Sequence, residues 1–197
     1  MEMTVVSFIE TVYPDGPPSE LVFYGGSFNP WHAGHSVALS KMADKHVIVM
    51  PDRNPLKPIN PFSLEESLEN IRSELTENKW LYEAFLNRRT HNPTAAWIHE
   101  VRMRFPEMKI ALLMGFDNFV ILDKWQKADQ LLSDLDRIYI LSRNDDESTR
   151  VQQSKNLLMM NPGLDMIFLG KHEYEDVSSS SIRAGSDYSN KNLTLAI

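Results

Sequence analysis

No cysteine occurs among the 197 residues, which excludes disulfides, thiolate zinc sites and cysteine nucleophiles together. Catalysis then has to come from His, Ser, Thr, carboxylates, Lys or Arg. Positive charge is also short. Lys and Arg number 20 against 27 Asp and Glu, a formal charge of -7. Generic nucleic-acid affinity needs a basic face that releases counterions, so no nucleic-acid partner is expected. No segment approaches the roughly 18 consecutive apolar residues of a bilayer span. The opening MEMTVVSFIETVYPD carries acids where a secretory signal carries basic residues. A soluble, cytoplasmic protein with no membrane partner is the expectation. What is present fits a globular chain: 42% hydrophobic and 24% charged residues, at a length that suits one domain.

Met1 to Glu20 holds a β-prone run, Thr4 to Ile9, followed by the turn cluster PDGPPSE. The segment reads as an N-terminal extension on a stiff linker, ahead of a single domain over residues 21–197. It is expected to add an edge strand or to contact another subunit, so a homo-oligomer is left open. Leu21 to Tyr24 is an apolar strand stopped by Gly25-Gly26. Ala33 to Lys45 has helical spacing, and His46 to Met50 is a second apolar strand closed by Pro51. Strand, glycine turn, helix and strand make a βαβ unit. Ser63 to Glu77 predicts an amphipathic helix with Ser63 and Glu66 at capping-box spacing. Lys79 to Arg89 fits helix or strand equally. Thr94 to Phe105 predicts a helix, Lys109 to Met114 a strand ending at Gly115, and Arg137 to Leu141 another strand. Asp146 to Met160 predicts a helix and Asp165 to Leu169 a short strand. The alternation argues for an α/β fold, a Rossmann-like doubly wound parallel sheet. In such sheets ligands bind beyond the carboxyl ends of strands, so residues that follow strands are the candidates.

The segment YGGSFNPWHAGH, Tyr24 to His35, carries the most chemistry. Two glycines after a strand let a phosphate approach the backbone, and a helix starting near Pro30 to Ala33 aims N–H groups and its positive end at an anion. His32 and His35 are three apart, so on one turn they share a face and can both donate to phosphoryl oxygens. The plainer alternative is a turn with one capping and one core histidine. Neither GxGxxG nor GxxxxGK[ST] occurs. Near the other end, Ser178, Ser179 and Ser180 precede Ile182-Arg183. Serines at a helix start cap it and expose N–H groups, and Arg183 follows one turn later to hold triphosphate oxygens.

The first string resembles the GG[ST]F[DN]PxHxGH signature of the HxGH nucleotidyltransferases. Gly25, Gly26, Ser27, Phe28, Asn29, Pro30, His32, Gly34 and His35 all match. Val177 to Arg183 is similar to that family's ISSTxIR. The middle of the chain resembles the nicotinate mononucleotide adenylyltransferase branch. Pro55-Leu56-Lys57 stands where that branch has PHK, with Leu56 in place of His. Pro93-Thr94 resembles its YT, Met114 to Asp117 its IGxD, Lys124-Trp125 its following tryptophan, and Arg143 the arginine closing a later strand.

The resemblance implies transfer of an adenylyl group from ATP, accompanied by Mg²⁺, to nicotinate mononucleotide, with release of pyrophosphate in NAD biosynthesis. His32, His35 and Arg183 would be catalytic. Gly25, Gly26, Ser27, Phe28, Gly34, Arg143 and Ser178 to Ser180 would join His35 and Arg183 around ATP. Ser27, Asn29, Lys57, Thr94, Gly115, Asp117 and Trp125 would face the acceptor. Read as residues alone, Trp125 offers a flat face to a pyridine ring or is one more core tryptophan. Thr94 presents N–H groups to a carboxylate or is an N-cap, and Asp117 binds ribose hydroxyls or caps a helix. Lys57 neutralises phosphate or is solvated. Nicotinamide mononucleotide as acceptor, a phosphopantetheine-type transferase and a silent nucleotide-binding domain are the alternatives. The tail after Arg183, AGSDYSNKNLTLAI, is shorter than the helical ending usual in the nicotinate branch.

Overall fold

The computed structural model describes residues 3–53, 61–88 and 92–183. Six parallel strands form one sheet: β1 (Glu20–Gly26), β2 (Val47–Pro51), β3 (Lys79–Leu81), β4 (Lys109–Gly115), β5 (Arg137–Leu141) and β6 (Asp165–Phe168). Their spatial order is β3-β2-β1-β4-β5-β6. The chain winds outward from β1 to β3, then returns to the other side of β1 and winds outward again. The order therefore reverses between β1 and β4, the switch point at which an open α/β sheet leaves a crevice. The expected doubly wound sheet is borne out.

Strand periodicity explains both faces. Along β1, Leu21 and Phe23 enter one core while Val22 and Tyr24 enter the other. The same alternation runs through Ile110, Leu112 and Met114 of β4 against Ala111 and Leu113. Central strands buried on both faces read as continuous apolar text, which is why they were visible in the sequence. One face is covered by α4 (Thr94–Arg104), α5 (Phe116–Val120), α6 (Ala128–Asp134) and α7 (Glu147–Met160). The other is covered by α2 (Ala33–Ser40) and α3 (Pro61–Glu74). The short α8 (Ser179–Arg183) follows β6.

The ambiguous stretch divides into β3 and a 3-10 turn over Ala84–Asn87. The expected long helix after Ala33 stops at Ser40, with turns to the next strand. Asp146 caps α7 by accepting the N–H of Thr149 at 2.8 Å.

Thr4 to Ile9 was expected as a strand and is corrected: Val5–Val12 is a helix, α1. Thr4 and Ser7 cap it reciprocally. The Ser7 N–H donates to Thr4 Oγ1 at 3.1 Å and the Thr4 N–H donates to Ser7 Oγ at 2.9 Å. Val5 and Ile9, one turn apart, are buried in the main core against α4. Burial of a helical stripe outweighs β-branched propensity, which amounts to only about 0.7 kcal/mol per residue. Among the described residues no helix is long and apolar enough to cross a membrane.

Candidate active site

Gly25 and Gly26 end β1 still paired with Met50 and Pro51 of β2. The chain then turns out of the sheet through Phe28, whose φ of 42° lies in the left-handed region. The Phe28 ring folds back over Gly26, where a Cβ would stand 2.8 Å from Phe28 Cε1. Glycine is required there by close approach. Gly25 has open space on its Cβ side and leaves bare backbone exposed at the strand end.

His32 is the N-cap of α2. Its backbone is extended, and its Nδ1 accepts the Gly34 N–H at 3.2 Å. His35 closes the box, its Nδ1 accepting the His32 N–H at 3.3 Å. The two rings stack with centroids 3.7 Å apart. A Cβ on Gly34 would meet the His32 ring at 3.1 Å, so Gly34 makes room for that ring. Since each Nδ1 accepts, the network assigns the ring proton of each to Nε2. Capping and donation are compatible: one nitrogen holds the helix start while the other can serve an anion. Burial pushes the His32 pKa down to about 4, aided by the Arg143 guanidinium and then by His172. Near neutral pH His32 is therefore an uncharged donor.

These residues open on a cavity of about 380 Å³. Gly25, Gly26, Ser27, Phe28, His32, Gly34 and His35 line it from the first motif, and Ser178, Ser179 and Ser180 from the second. The motifs are tied directly, because the Ser179 hydroxyl donates to the Pro30 carbonyl at 2.8 Å. Ser178 caps α8, its Oγ accepting the Ser181 N–H at 3.0 Å. Gly115 and Asp117 from the end of β4, and Arg143 from the end of β5, complete the wall. Arg143 Nη1 donates to Asp117 at 2.7 Å and its Nη2 to the Val177 carbonyl at 3.3 Å. Asp117 thus holds an arginine rather than a helix start.

A second cavity of about 230 Å³ adjoins the first and shares Gly25, Gly26, Ser27, Met114 and Asn118 with it. Thr94 and Trp125 line this one. The N-cap of α4 is Pro93, so Thr94 is its first helical residue rather than its cap. Trp125 also packs against the main core, so it both faces the cavity and supports the fold. Asn29 is buried and lines neither cavity. Lys57 lies outside the described residues, as do the Arg183 side chain and the tail after it.

Sequence reasoning did not single out several wall residues. His172 lines the first cavity, its Nε2 meeting the Ser142 carbonyl at 3.0 Å while its Nδ1 accepts the Tyr174 N–H at 3.1 Å. Asn92 lines the second and donates to Asp52 at 3.1 Å. His172 sits in a loop without periodicity or motif. Asp52 follows β2 directly, within the stretch Pro51 to Lys57 to which the strand-end rule points, though no role was assigned to it. Among the described residues, no group of three or more His, Asp or Glu side chains is arranged to hold a metal ion.

A doubly wound parallel sheet whose switch point carries a glycine turn and a histidine-capped helix defines a nucleotidyltransferase class of α/β domain. The chain belongs to the Cytidylyltransferase-like family, which it matches over residues 23–185. Among curated relatives, a protein of Leptospira interrogans named "Probable nicotinate-nucleotide adenylyltransferase" is 33% identical over 129 residues, 61% of this chain and 65% of that one. One of the same name from Rhodopirellula baltica is 30% identical over 116 residues, 55% of this chain and 54% of that one. The chain thus matches less than two thirds of these relatives' length. A solved structure of Plasmodium falciparum nicotinic acid mononucleotide adenylyltransferase complexed with NaAD has the same fold. Its TM-score is 0.64 at 19% identity, covering 84% of this chain and 82% of that one. The nucleotidyltransferase resemblance drawn from Tyr24 to His35 is borne out.

Proposed function

We propose that the protein joins the adenylyl group of ATP to nicotinate mononucleotide, giving nicotinate adenine dinucleotide and pyrophosphate in NAD biosynthesis. One observation carries the reading: two cavities meet at Gly25, Gly26 and Ser27, with the histidine pair in one and Thr94 and Trp125 in the other. ATP fits the first cavity, where donors and small residues surround space for a triphosphate. The pyridine mononucleotide fits the second, where Trp125 gives an aromatic face and the start of α4 gives N–H groups for the ring carboxylate. The names carried by the curated relatives and the fold neighbour support the same reading.

The acceptor phosphate attacks the α-phosphorus in line. A P–O bond forms, the bond from the α-phosphorus to the bridging oxygen breaks, and pyrophosphate leaves with the electron pair. A phosphate monoester, with a second pKa of about 6, is already mostly dianionic at neutral pH, so no general base is needed. The protein's task is to place the reactants and to meet charge moving onto the leaving group. Nε2–H of His35 donates at the transferring phosphoryl group. His32, uncharged near neutral pH, donates beside it. Arg143, Arg183 and Ser178 to Ser180 hold the outer phosphates. Magnesium would enter with ATP as part of the substrate, held by phosphate oxygens and water. Both substrates are polyanions that do not cross a bilayer unaided, so the proposed reaction runs where both are held, and the cytoplasm is the compartment we propose.

Pyrophosphate release from Mg·ATP, followed separately with nicotinate mononucleotide, nicotinamide mononucleotide and phosphopantetheine, tests the reading. Release fastest with nicotinate mononucleotide is expected. Release with phosphopantetheine alone, or with none while ATP still binds, overturns it.

A further inference from the structure

Trp31, between the two glycines and the histidine pair in sequence, is almost fully buried, yet its indole N–H reaches neither cavity. Instead Nε1 donates to Glu74 Oε1 at 3.0 Å and lies 3.0 Å from Ser36 Oγ. The Ser36 hydroxyl donates to the same carboxylate oxygen at 2.6 Å. The Trp31 backbone N–H donates to Ser67 Oγ at 2.7 Å. Ser67 and Glu74 are seven apart on α3, two turns along one face. That face therefore grips both ends of one tryptophan. The indole in turn packs on the His35 ring, with centroids 5.0 Å apart, and His35 stacks on His32. A buried indole N–H needs an acceptor, and hydrogen bonds to an ionised acceptor are the stronger kind. Nothing in ATP or its acceptor requires a carboxylate on the far side of Trp31, so Glu74 serves the placement of its neighbours.

We propose that Glu74 is a positioning residue for His35, acting through the indole of Trp31, with Ser67 fixing the backbone end of the same lever. The inference rests on the proposed role of His35 at the transferring phosphoryl group. Misplacing a group of that kind by about 1 Å costs about 100-fold in rate. What positions the ring is the presence of an acceptor at Glu74, more than its charge.

The test compares Glu74→Gln, which keeps an acceptor oxygen, with Glu74→Leu, which removes it, and with Trp31→Phe, which removes the donor. The first readout is the set of histidine side-chain signals in ¹H–¹⁵N spectra of the free protein, which requires no turnover. Glu74→Leu and Trp31→Phe are expected to shift the His35 signals and leave those of His46 and His99 in place, while Glu74→Gln stays near the parent. The second readout is kinetic. We expect kcat to fall by about 10- to 100-fold in Glu74→Leu with KM for ATP within about threefold, and to recover largely in Glu74→Gln. Because donor and acceptor act as one unit, Trp31→Phe combined with Glu74→Leu is expected to be no slower than Glu74→Leu alone. Unmoved His35 signals, unchanged kcat in Glu74→Leu, or Glu74→Gln as slow as Glu74→Leu would each overturn the proposal. A parent inactive with every acceptor, alongside the expected His35 shifts, would instead count against the adenylyl-transfer reading and leave the positioning of the ring standing.

Discussion

Under the proposed mechanism His32 and His35 divide their nitrogens between fold and chemistry, and the consequences differ for the two. His35 is only partly buried, and its Nδ1 accepts the N–H of the N-cap residue His32. His35→Ala should therefore lower kcat by about 10²- to 10³-fold, the usual cost of removing a donor from developing charge. Its urea midpoint should stay close to the parent's. An equally active variant would remove His35 from the mechanism.

His32 is buried and held as the uncharged ring, with a pKa near 4. The unfolded chain would bind the same proton near 6.5, so stability rises with pH across that interval. The contribution is complete above about pH 6.5 and is lost as pH falls toward 4. It amounts to something on the order of 3 kcal/mol. His32→Asn keeps an N-cap acceptor for Gly34 and does not titrate. The drop in urea midpoint between about pH 7 and pH 4.5 should shrink in that variant, and an undiminished drop would assign the acid sensitivity elsewhere.

The histidine pair was legible because its spacing, the glycines and the proline stand contiguous in the text. The Arg143–Asp117 pair and the Asn92–Asp52 bond were not, because each joins residues 26 and 40 positions apart that only the sheet brings together.

Among the elements, the buried strands were the most legible, since apolar text on both faces leaves little else for them to be. Boundaries moved where hydrogen bonding rather than polarity decides them. Gly25 and Gly26 continue the β1 ladder although they have no side chain to advertise it. The clear failure was α1. TVVSFI has the β-branched density of a strand, and the Thr4–Ser7 cap lacks the Glu or Gln of the usual capping box. What makes it a helix is tertiary: Val5 and Ile9 fill the core beside α4, and the Tyr82 hydroxyl donates to the Met3 carbonyl at 2.8 Å. A helix built into the core in this way should be expensive to disturb. Ile9→Ala should lower stability by about 2 to 5 kcal/mol in urea unfolding, as other buried isoleucines do. A loss under about 0.5 kcal/mol, typical of surface positions, would mean that α1 is not docked.

Taken together, the six strands bring the two signature segments, Gly25 to His35 and Ser178 to Ser180, to one end of the sheet. Strand order reverses between β1 and β4, and Gly25, Gly26 and Ser27 at the end of the first, with Met114 and Asn118 at the end of the second, face both cavities. In the proposed reaction the two substrates would meet over the glycine turn without either crossing the other's site, as an in-line transfer needs. The sequence order already implied a parallel sheet with its ligands beyond the strand ends. It could not show that Thr94 and Trp125 share a second cavity while Gly115 and Asp117 face the first, because that division depends on how α4 and α5 leave their strands.

The most direct measurement follows the label of ATP, labelled separately at the α- and γ-phosphorus, in the presence of magnesium and nicotinate mononucleotide. The account predicts that the α label appears in a dinucleotide and the γ label in pyrophosphate, in equal amounts. Transfer of the γ label to the acceptor, or release of inorganic phosphate with no dinucleotide formed, would contradict it.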